Sequence, residues 1–513
     1  MAPGEGGALP AGWLLELVRA FGPDRVLTDY EDRYVYSFHG EFATRRRELP
    51  DAVVRLLSES EGKKLDRLSE SLGFRVVRND RPEECGSEGL DAPIVLLDAR
   101  EPVDASALLR RFSGLEMARA EGRRALRDEA PLPQWFVSSL RARDGFRIGE
   151  LPDSDNGFCA VQRFFGGVET YSSKGRLTLT RGLLGGELEP TGRLADSIYN
   201  CTACGQCYDQ LGLDGLEVNN AIVRARRELA GAGLGPRQAG LLADGILGEG
   251  NPMRMPAEDR TIWFEELAEE HPFGGDGVLY WAGCSTSYRL PGVVEATARV
   301  LGEAGAGFGM LGAEEGCCGL ILYLLGLWDE AGRNASKVSG MLQELGVERL
   351  VTGCAGCYYA FTRVYPSLGV APAFEVLHTS QLMDKLIRED HLHPKGLKHR
   401  AAWHDPCDLG RHCGVFEPPR RVLGSVPGLE LREPPLNRGH ALCCGAGGGL
   451  LMYNEALAGE VARSKVEEEV CPLGVDVIVT GCPACILNLR NAVKEVDRGP
   501  EVLDLAELVD RSL

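Results

Sequence analysis

Short apolar runs alternate with longer amphipathic stretches over the second half of the chain. Val278–Trp281, Arg349–Thr352 and residues 475–479 are rich in branched and aromatic side chains and are bounded by turn residues, so they predict strands. Between such runs, residues 292–303 and 329–345 place apolar side chains at helical spacing. Residues 401–404 and 454–468 repeat this order as a strand and a helix. Strands that alternate with helices predict an α/β fold with parallel sheets.

The first half of the chain has a different pattern. Residues 13–21 predict a short amphipathic helix, which at that length packs against a core more readily than it anchors to a membrane. Residues 93–97 predict a buried strand, and residues 220–229 predict a helix. The predicted organisation is an α+β domain, a charged linker, a helical domain and two α/β domains, over residues 1–110, 111–155, 156–270, 275–390 and 396–513.

Composition narrows the class of protein. The 513 residues are 44% hydrophobic and 26% charged, as expected of globular domains with proper cores. A net charge of −19 argues against a nucleic-acid partner and against attachment to anionic lipid by charge alone. No apolar run reaches about 18 residues, so no transmembrane segment is expected. The first residues also lack the basic and apolar regions of a secretory signal.

Seventeen cysteines are present, and thirteen of them fall into three clusters. A secreted disulfide scaffold would be shorter and would scatter its cysteines through loops. Clustered cysteines in a long chain favour metal or redox chemistry in the cytoplasm, and any contact with a membrane would then be made through a partner. Cys85, Cys413 and Cys471 have no spacing partner and are interpreted as packing residues.

Ten cysteines form two copies of one pattern: a single Cys after a predicted strand, then Cys-Cys-Gly, then Cys-x-x-Cys. The first copy is Cys284, Cys317, Cys318, Cys354 and Cys357, and the second copy is Cys407, Cys443, Cys444, Cys482 and Cys485. Five thiols are one more than a tetrahedral zinc site or an ordinary cubane cluster needs, which favours an unusual iron–sulfur centre. Zinc remains an alternative, because thiolates suit both metals.

The position of these cysteines relative to the strands predicts that each copy converges on one site. Ligands gather beyond the carboxyl ends of the strands in a parallel sheet, and the cysteines follow predicted strands. Adjacent cysteines such as Cys317 and Cys318 cannot share one face of a strand, so we expect turns there, with Gly319 and Gly445 giving backbone freedom. Residues 445–449 lack the spacing of a phosphate loop, and we expect them to approach a cluster closely instead.

Longer motifs around the second copy are similar to a known family. His404-Asp-Pro-Cys407, Gly410-Arg-His412, Pro419-Arg420 and Cys443-Cys-Gly-Ala-Gly-Gly-Gly449 resemble the CCG domains in the B and D components of heterodisulfide reductase. They are also similar to the iron–sulfur subunits of glycolate oxidase and anaerobic glycerol-3-phosphate dehydrogenase. The resemblance implies a noncubane 4Fe–4S cluster for each complete repeat. Both repeats are complete, as in the disulfide-reducing members.

A third cluster, Cys201, Cys204 and Cys207, matches the start of a ferredoxin run. The closing Cys-Pro of that run is missing, and only Cys159 is left where an upstream partner motif would fall. Residues 172–176 are similar to the segment that links the two ferredoxin motifs in the family. We therefore expect one cubane 4Fe–4S cluster with Cys159 as its fourth ligand. A disulfide or a zinc knuckle among the three cysteines is the alternative.

The opening residues resemble a different family. Residues 22–29 and 50–54 are similar to the start of FAD-linked oxidases of the D-lactate dehydrogenase and glycolate oxidase type. A glycine-rich loop for the FAD pyrophosphate should follow the next strand, but residues 76–81 contain no glycine, and the substrate-binding cap is missing. We expect a remnant that binds no FAD; a chance similarity is the alternative.

These observations predict an iron–sulfur oxidoreductase of the heterodisulfide reductase type that acts within a complex. Reducing a disulfide needs two electrons, whereas an iron–sulfur cluster usually passes one, so two clusters facing one small-molecule disulfide would meet the need. A flavoprotein dehydrogenase or another donor subunit would deliver electrons through the three-cysteine cluster. The first alternative is an electron-transfer subunit of a 2-hydroxyacid or glycerol-3-phosphate dehydrogenase that reduces a quinone. A zinc-bound scaffold is the second.

His404 is the candidate catalytic residue. A histidine at this position could orient a substrate or deliver a proton. A hydrogen-bonded histidine at the end of a strand, with no role in chemistry, is the alternative.

Overall fold

The computed structural model describes residues 11–22, 25–27, 29–36, 52–55, 59–72, 74–78, 94–98, 159–165, 168–207, 215–275, 277–497 and 499–513. The predicted linker and Cys85 lie outside these residues. The described residues belong to two compact units, one within Met1–Gly157 and Gln162–Glu189, the other within Phe158–Val161 and Pro190–Leu513. The five domain boundaries expected from the sequence remain predictions.

The first unit is built on a four-stranded sheet of order β1-β2-β4-β3. Its strands are β1 Val26–Leu27, β2 Ala52–Arg55, β3 Arg75–Arg78 and β4 Ile94–Asp98. The pair β1–β2 is antiparallel, and the other pairs are parallel. The described α-helices of this unit are Ala11–Phe21, Tyr30–Tyr36, Glu59–Leu72 and Ser173–Leu184. The predicted amphipathic helix and the predicted strand at 93–97 are thus confirmed, and Leu17 and Phe21 lie in the core.

The second unit contains two four-stranded parallel sheets with the same strand order. The first is β6-β5-β7-β8, with β5 Val278–Trp281, β6 Phe308–Gly309, β7 Arg349–Thr352 and β8 Glu375–His378. The second is β10-β9-β11-β12, with β9 Arg400–Trp403, β10 Glu430–Leu431, β11 Val477–Thr480 and β12 Glu501–Asp504. The predicted α/β fold with parallel sheets is confirmed.

Helices precede, separate and cover these strands. In the second unit, the α-helices before β5 include Gly192–Tyr199, Gly215–Gly231, Ala239–Glu249 and Glu265–Glu270. Those of the first copy are Cys284–Arg289, Pro291–Glu303, Leu320–Leu324, Trp328–Glu344, Ala355–Tyr359, Tyr365–Ser367 and Thr379–Arg388. Those of the second copy are Glu417–Gly424, Leu450–Tyr453, Glu455–Lys465, Pro483–Val493 and Leu505–Asp510. None of the described helices is long and apolar enough to cross a membrane.

Local sequence explains where two predicted helices begin. Pro291 occupies the first turn of the helix predicted at 292–303, where its fixed φ fits and its missing N–H costs nothing. Asn454 is the N-cap of the helix predicted at 454–468, because its side chain accepts a hydrogen bond from the N–H of Leu457 at 3.1 Å. That helix ends as a regular α-helix at Lys465, and a π-helical turn, Val466–Val470, follows.

The two sheets share one hydrophobic core. A single buried cluster contains Val351 of β7, Val479 of β11 and Leu301 of the helix Pro291–Glu303. Central strands such as β5 and β11 are buried along their whole length, as expected of parallel strands covered by helices. The N–H of Ala355 donates to the carbonyl of Gly481 at 3.1 Å. This bond joins the segments that follow β7 and β11, so the carboxyl ends of the two sheets adjoin each other.

Candidate iron–sulfur centres

The five cysteines of the first copy come together beyond the carboxyl ends of β5, β6 and β7. Their thiols form a chain of neighbours in the order Cys284, Cys317, Cys318, Cys357 and Cys354. The sulfur atoms of Cys284 and Cys317 are 3.5 Å apart. Four of the five side chains are buried and Cys354 is half-buried. The predicted convergence of this copy on one site is therefore observed.

The second copy repeats the same chain of neighbours. Its order is Cys407, Cys443, Cys444, Cys485 and Cys482. The sulfur atoms of Cys444 and Cys485 are 3.0 Å apart, and all five side chains are buried. Each position of the first copy thus has a counterpart with the same neighbours in the second.

Backbone N–H groups aim at matching sulfur atoms in the two copies. The N–H of Gly319 donates to Cys317 Sγ, and the N–H of Gly445 donates to Cys443 Sγ, both at 3.4 Å. Both glycines have positive φ, 72° and 86°, a conformation that side chains disfavour. The Cys-Cys-Gly segments lie outside helices and strands, as the sequence predicts.

The mutual hydrogen bonds divide the thiols by acidity. Hydrogen bonds from Cys317 and Cys357 lower the pKa of Cys318 to about 6. Hydrogen bonds from Cys443 and Cys485 likewise lower the pKa of Cys444 well below its usual range. The pKa of Cys357 and that of Cys485 are raised well above the usual range, because each thiol donates one of those hydrogen bonds and is buried. Buried thiols of this kind can all be thiolates only beside a cation, so the donor set fits a metal centre.

A buried carboxylate fixes the backbone before the single cysteine of the first copy. Glu315 accepts hydrogen bonds from the N–H groups of Ala282 and Gly283 at 2.8 and 2.7 Å, and from Arg260 at 3.1 Å. Burial raises the pKa of Glu315, and the charge of Arg260 opposes that rise. Sequence reasoning missed Glu315, since nothing in its neighbourhood distinguishes it from an ordinary charged residue in a loop.

The second copy uses another carboxylate at the corresponding place. Asp405 accepts two hydrogen bonds from Arg420, both at 2.8 Å, one from Trp403 Nε1 at 3.0 Å and one from the N–H of Arg438 at 2.7 Å. Each copy thus holds the end of its first central strand with a carboxylate–arginine pair. The Asp405–Arg420 pair is bidentate, and such a pair sets orientation as well as charge.

The three-cysteine segment, Cys201–Cys207, follows the helix Gly192–Tyr199. Burial and the nearby thiols of Cys201, Cys204 and Cys159 raise the pKa of Cys207, so these four cysteines lie together. The structure therefore places Cys159 where the sequence requires a fourth ligand. Its ligand role remains a prediction.

The three-cysteine segment packs on the second copy. Cys204 and Cys443 are hydrogen-bonded neighbours. Arg411 Nε donates to the carbonyl of Cys204 at 2.7 Å, and His412 Nε2 lies 3.1 Å from the carbonyl of Ala203. A Cβ added to Gly447 would lie 3.1 Å from the carbonyl oxygen of Thr202. Gly447 and Gly448 thus permit close approach to the backbone of this segment, whereas Gly445 and Gly449 lie against Ala458 and Leu325. The expected close approach of residues 445–449 to a cluster stays a prediction.

One buried arginine links the segment to both copies. Arg226 donates to the carbonyls of Cys201 at 2.6 Å, Gly448 at 2.6 Å and Leu324 at 2.7 Å. Its side chain is fully buried. Because a planar guanidinium holds several acceptors in fixed directions, Arg226 sets the spacing of these three segments.

His404 lies at the second copy. A ring nitrogen of His404 and the thiols of Cys444 and Cys485 all lie within 4.8 Å of one another. Burial lowers the pKa of His404 to about 3. The sequence singled out this residue, but its role in chemistry stays a prediction.

Trp281, which the sequence presents only as a core residue of a strand, lies in one buried cluster with Cys318 and Cys357.

Two of the unassigned cysteines lie among the described residues. Cys413 and Cys471 are half-buried and pack against the core shared by the two sheets. Their position agrees with their interpretation as packing residues.

Comparison with known proteins agrees with this arrangement. Residues 278–362 and 401–490 each match the CCG cysteine-rich domain. The chain is 32% identical to the D component of the dihydromethanophenazine:CoB–CoM heterodisulfide reductase of Methanosarcina acetivorans, over 62% of this chain and 78% of the relative. It is also 32% identical to the corresponding protein of Methanosarcina barkeri, over 67% of this chain and 84% of the relative. The EtfAB:quinone oxidoreductase of Syntrophomonas wolfei is 30% identical over 62% of this chain and 47% of that protein.

Proposed function

Since the chain belongs to the family of iron–sulfur oxidoreductases that includes the D component of heterodisulfide reductase, we propose that it reduces a small-molecule disulfide as part of a complex. A flavoprotein partner would supply the electrons. One cubane 4Fe–4S cluster, at Cys201, Cys204, Cys207 and Cys159, would receive them. Two noncubane 4Fe–4S clusters, held by the ten cysteines of the two copies, would serve the disulfide. When bound, these clusters would supply one-electron transfer.

One observation carries the proposal: the same chain of five thiol neighbours occurs in both copies. A zinc site would need four ligands, so the fifth thiol of each copy would not coordinate the metal. The matched N–H groups of Gly319 and Gly445 also favour sulfur atoms that carry negative charge. The donor set therefore fits two equivalent iron–sulfur centres.

The placement of the two copies supports action on one substrate. The hydrogen bond from Ala355 to Gly481 lies directly beside Cys354 and Cys482. Splitting a disulfide takes two electrons and two protons and yields two thiols. Two adjoining one-electron centres can deliver those electrons to one S–S bond, which a single centre could do only in successive steps.

The contacts of the three-cysteine segment support one route for the electrons. Cys204 adjoins Cys443, and Arg411 and His412 hold the neighbouring carbonyls. Electrons from the partner would therefore reach the second copy first.

Quinone reduction is the second candidate. It is favoured by the 30% identity to an EtfAB:quinone oxidoreductase, which acts on a quinone by its name. In that case the chain would pass electrons from a flavoprotein dehydrogenase to a quinone. The two complete cysteine sets favour disulfide chemistry, so we place this function second.

Turnover with an artificial donor separates the two functions. The anaerobically purified chain would be given reduced viologen together with either a small disulfide or a water-soluble quinone analogue. The disulfides would include the CoB–CoM heterodisulfide for which the Methanosarcina relatives are named. We expect two thiols released for each disulfide, and loss of this turnover in Cys318→Ser and Cys444→Ser but not in the control Cys471→Ser. Quinone reduction without release of thiols would decide for the second candidate.

A further inference from the structure

Trp281 and His404 occupy equivalent places in the two copies. Trp281, the last residue of β5, pairs with Thr352, which precedes Cys354 by two residues. His404 follows β9, its N–H donates to the carbonyl of Val479 at 2.9 Å, and its carbonyl accepts from Thr480 Oγ1 at 3.1 Å. Thr480 precedes Cys482 by two residues. The two residues thus hold equivalent positions at the end of the first central strand, each three residues before the single cysteine of its copy, Cys284 or Cys407.

Both side chains are buried without a hydrogen-bond partner. Trp281 is fully buried and His404 is 3% exposed. Neither Trp281 Nε1 nor either ring nitrogen of His404 has a partner among the described residues. Leaving a buried N–H group unpaired costs free energy, and a bound ion or cofactor is one kind of partner that satisfies such a group.

The thiols grouped with the two rings are counterparts of one another. His404 lies within 4.8 Å of Cys444 and Cys485. Trp281 shares a buried cluster with Cys318 and Cys357, which hold the same third and fourth places in the chain of neighbours. The same pair of cysteines in each copy is therefore accompanied by a buried N–H group.

We propose that Trp281 and His404 each donate a hydrogen bond to a sulfur atom of the iron–sulfur cluster in their own copy, and so raise its reduction potential. A hydrogen bond to sulfur stabilises the extra negative charge of the reduced state, and such bonds are among the factors that set cluster potentials. The inference rests on the proposed function, because it requires the clusters to be bound.

The two donors differ chemically, and this makes them separable by substitution. The indole of Trp281 can only donate, through Nε1, whereas neutral imidazole has one donor and one acceptor nitrogen. Trp281→Phe and His404→Phe remove the N–H group and keep an aromatic ring in the core. His404→Gln keeps an N–H donor, but on a flexible side chain without a ring. Each variant serves as the control for the cluster of the other copy.

The test is a redox titration of the full chain, followed by EPR, with the signals assigned to the copies by Cys318→Ser and Cys444→Ser. We expect Trp281→Phe to shift only the cluster of the first copy to a more negative potential. His404→Phe should do the same only for the second copy, and His404→Gln should shift that cluster less. Potentials that do not move, or two clusters that move equally in either variant, would overturn the donor role.

Iron and labile sulfide measured on the same samples keep the two claims apart. Wild-type chain without labile sulfide would reject the proposed function itself. A full cluster content in the variants with unshifted potentials would reject only the donor role of Trp281 and His404. A third result would be zinc, rather than iron, bound at His404, Cys444 and Cys485 and lost in His404→Phe. That result would overturn both the iron–sulfur cluster of the second copy and the donor role of His404.

Discussion

The thiol of Cys204 contacts the thiol of Cys443, which joins the three-cysteine segment directly to the second copy. This hydrogen bond is the largest cause of the raised pKa of Cys204. The first copy is tied to the same region through a backbone carbonyl, that of Leu324, which accepts from Arg226. The two copies therefore have the same arrangement of thiols but contact the three-cysteine segment differently.

Substitution of Gly448 tests whether the three-cysteine segment and the second copy must approach each other closely. Its φ is +62°, and an added Cβ would overlap the carbonyl group of Thr202. We expect Gly448→Ala to lower the free energy of unfolding by about 1–3 kcal/mol, because backbone cannot yield as a flexible side chain does. The measurement is the midpoint of urea unfolding.

Gly459 provides the matched control for that substitution. It lies in the helix Glu455–Lys465, with nothing among the described residues within 4 Å of an added Cβ. Gly459→Ala should stabilise the protein by roughly 0.5–1 kcal/mol, since alanine loses less backbone freedom in a helix. Equal effects of the two substitutions would contradict the close packing at Gly448.

Cys159→Ser tests the fourth ligand of the cubane cluster. Because Cys159 adjoins Cys201, Cys204 and Cys207, we expect loss of about four iron atoms per chain, the content of one 4Fe–4S cluster. The clusters of the two copies should stay, and Cys471→Ser should leave the iron content unchanged. An unchanged iron content in Cys159→Ser would remove this residue from the ligand set.

Glu315 supports the first copy through two backbone N–H groups and Arg260. Glu315→Ala leaves Arg260 buried without its carboxylate, so we expect a loss of about 3–5 kcal/mol in the free energy of unfolding. Glu315→Gln, which keeps an acceptor for an N–H group, should lose less. Urea unfolding followed by tryptophan fluorescence measures both, and equal losses would show that the charge of Glu315 alone matters.

Asp405 makes the stability of the second copy depend on pH. Burial by itself would raise the pKa of Asp405, but the hydrogen bonds and charge of Arg420 and the N–H of Arg438 lower it below its ordinary value. A carboxyl whose pKa is lowered on folding stabilises the protein above the unfolded pKa of about 3.9, and that stability is lost as the pH falls through the folded pKa.

The corresponding measurement is the free energy of unfolding between about pH 5 and pH 2, a range that brackets the unfolded pKa of a carboxyl. Wild type should lose more stability over this range than Asp405→Asn, which cannot release or bind the proton. The same slope in both proteins would mean that other carboxyls dominate acid unfolding.

Much of the site follows from the sequence because a parallel sheet brings the ends of its strands to one edge. That rule alone places Cys284 near Cys317 and Cys407 near Cys443, although many residues separate them. It does not reveal Glu315, whose partners are backbone groups of another segment. It also does not distinguish Trp281 from any other core residue of a strand, since its unpaired N–H becomes visible only once the packing is known.

The contact between Cys204 and Cys443 lies beyond sequence reasoning for a similar reason. It depends on how Arg226, Arg411 and the glycines near residue 448 let two distant segments approach. The closing Cys-Pro of the ferredoxin run is missing from the sequence, so spacing alone does not identify the fourth ligand of that cluster. Cys159 is therefore only inferred to be that ligand.

The most direct test of the central claim is the iron, labile sulfide and zinc content of the anaerobically purified chain, with EPR after oxidation in the presence of a thiol. Three four-iron clusters predict about twelve iron atoms and as many sulfides per chain, together with an EPR signal that depends on the added thiol. About two zinc atoms, one for each copy, with no labile sulfide and no such signal would contradict the account.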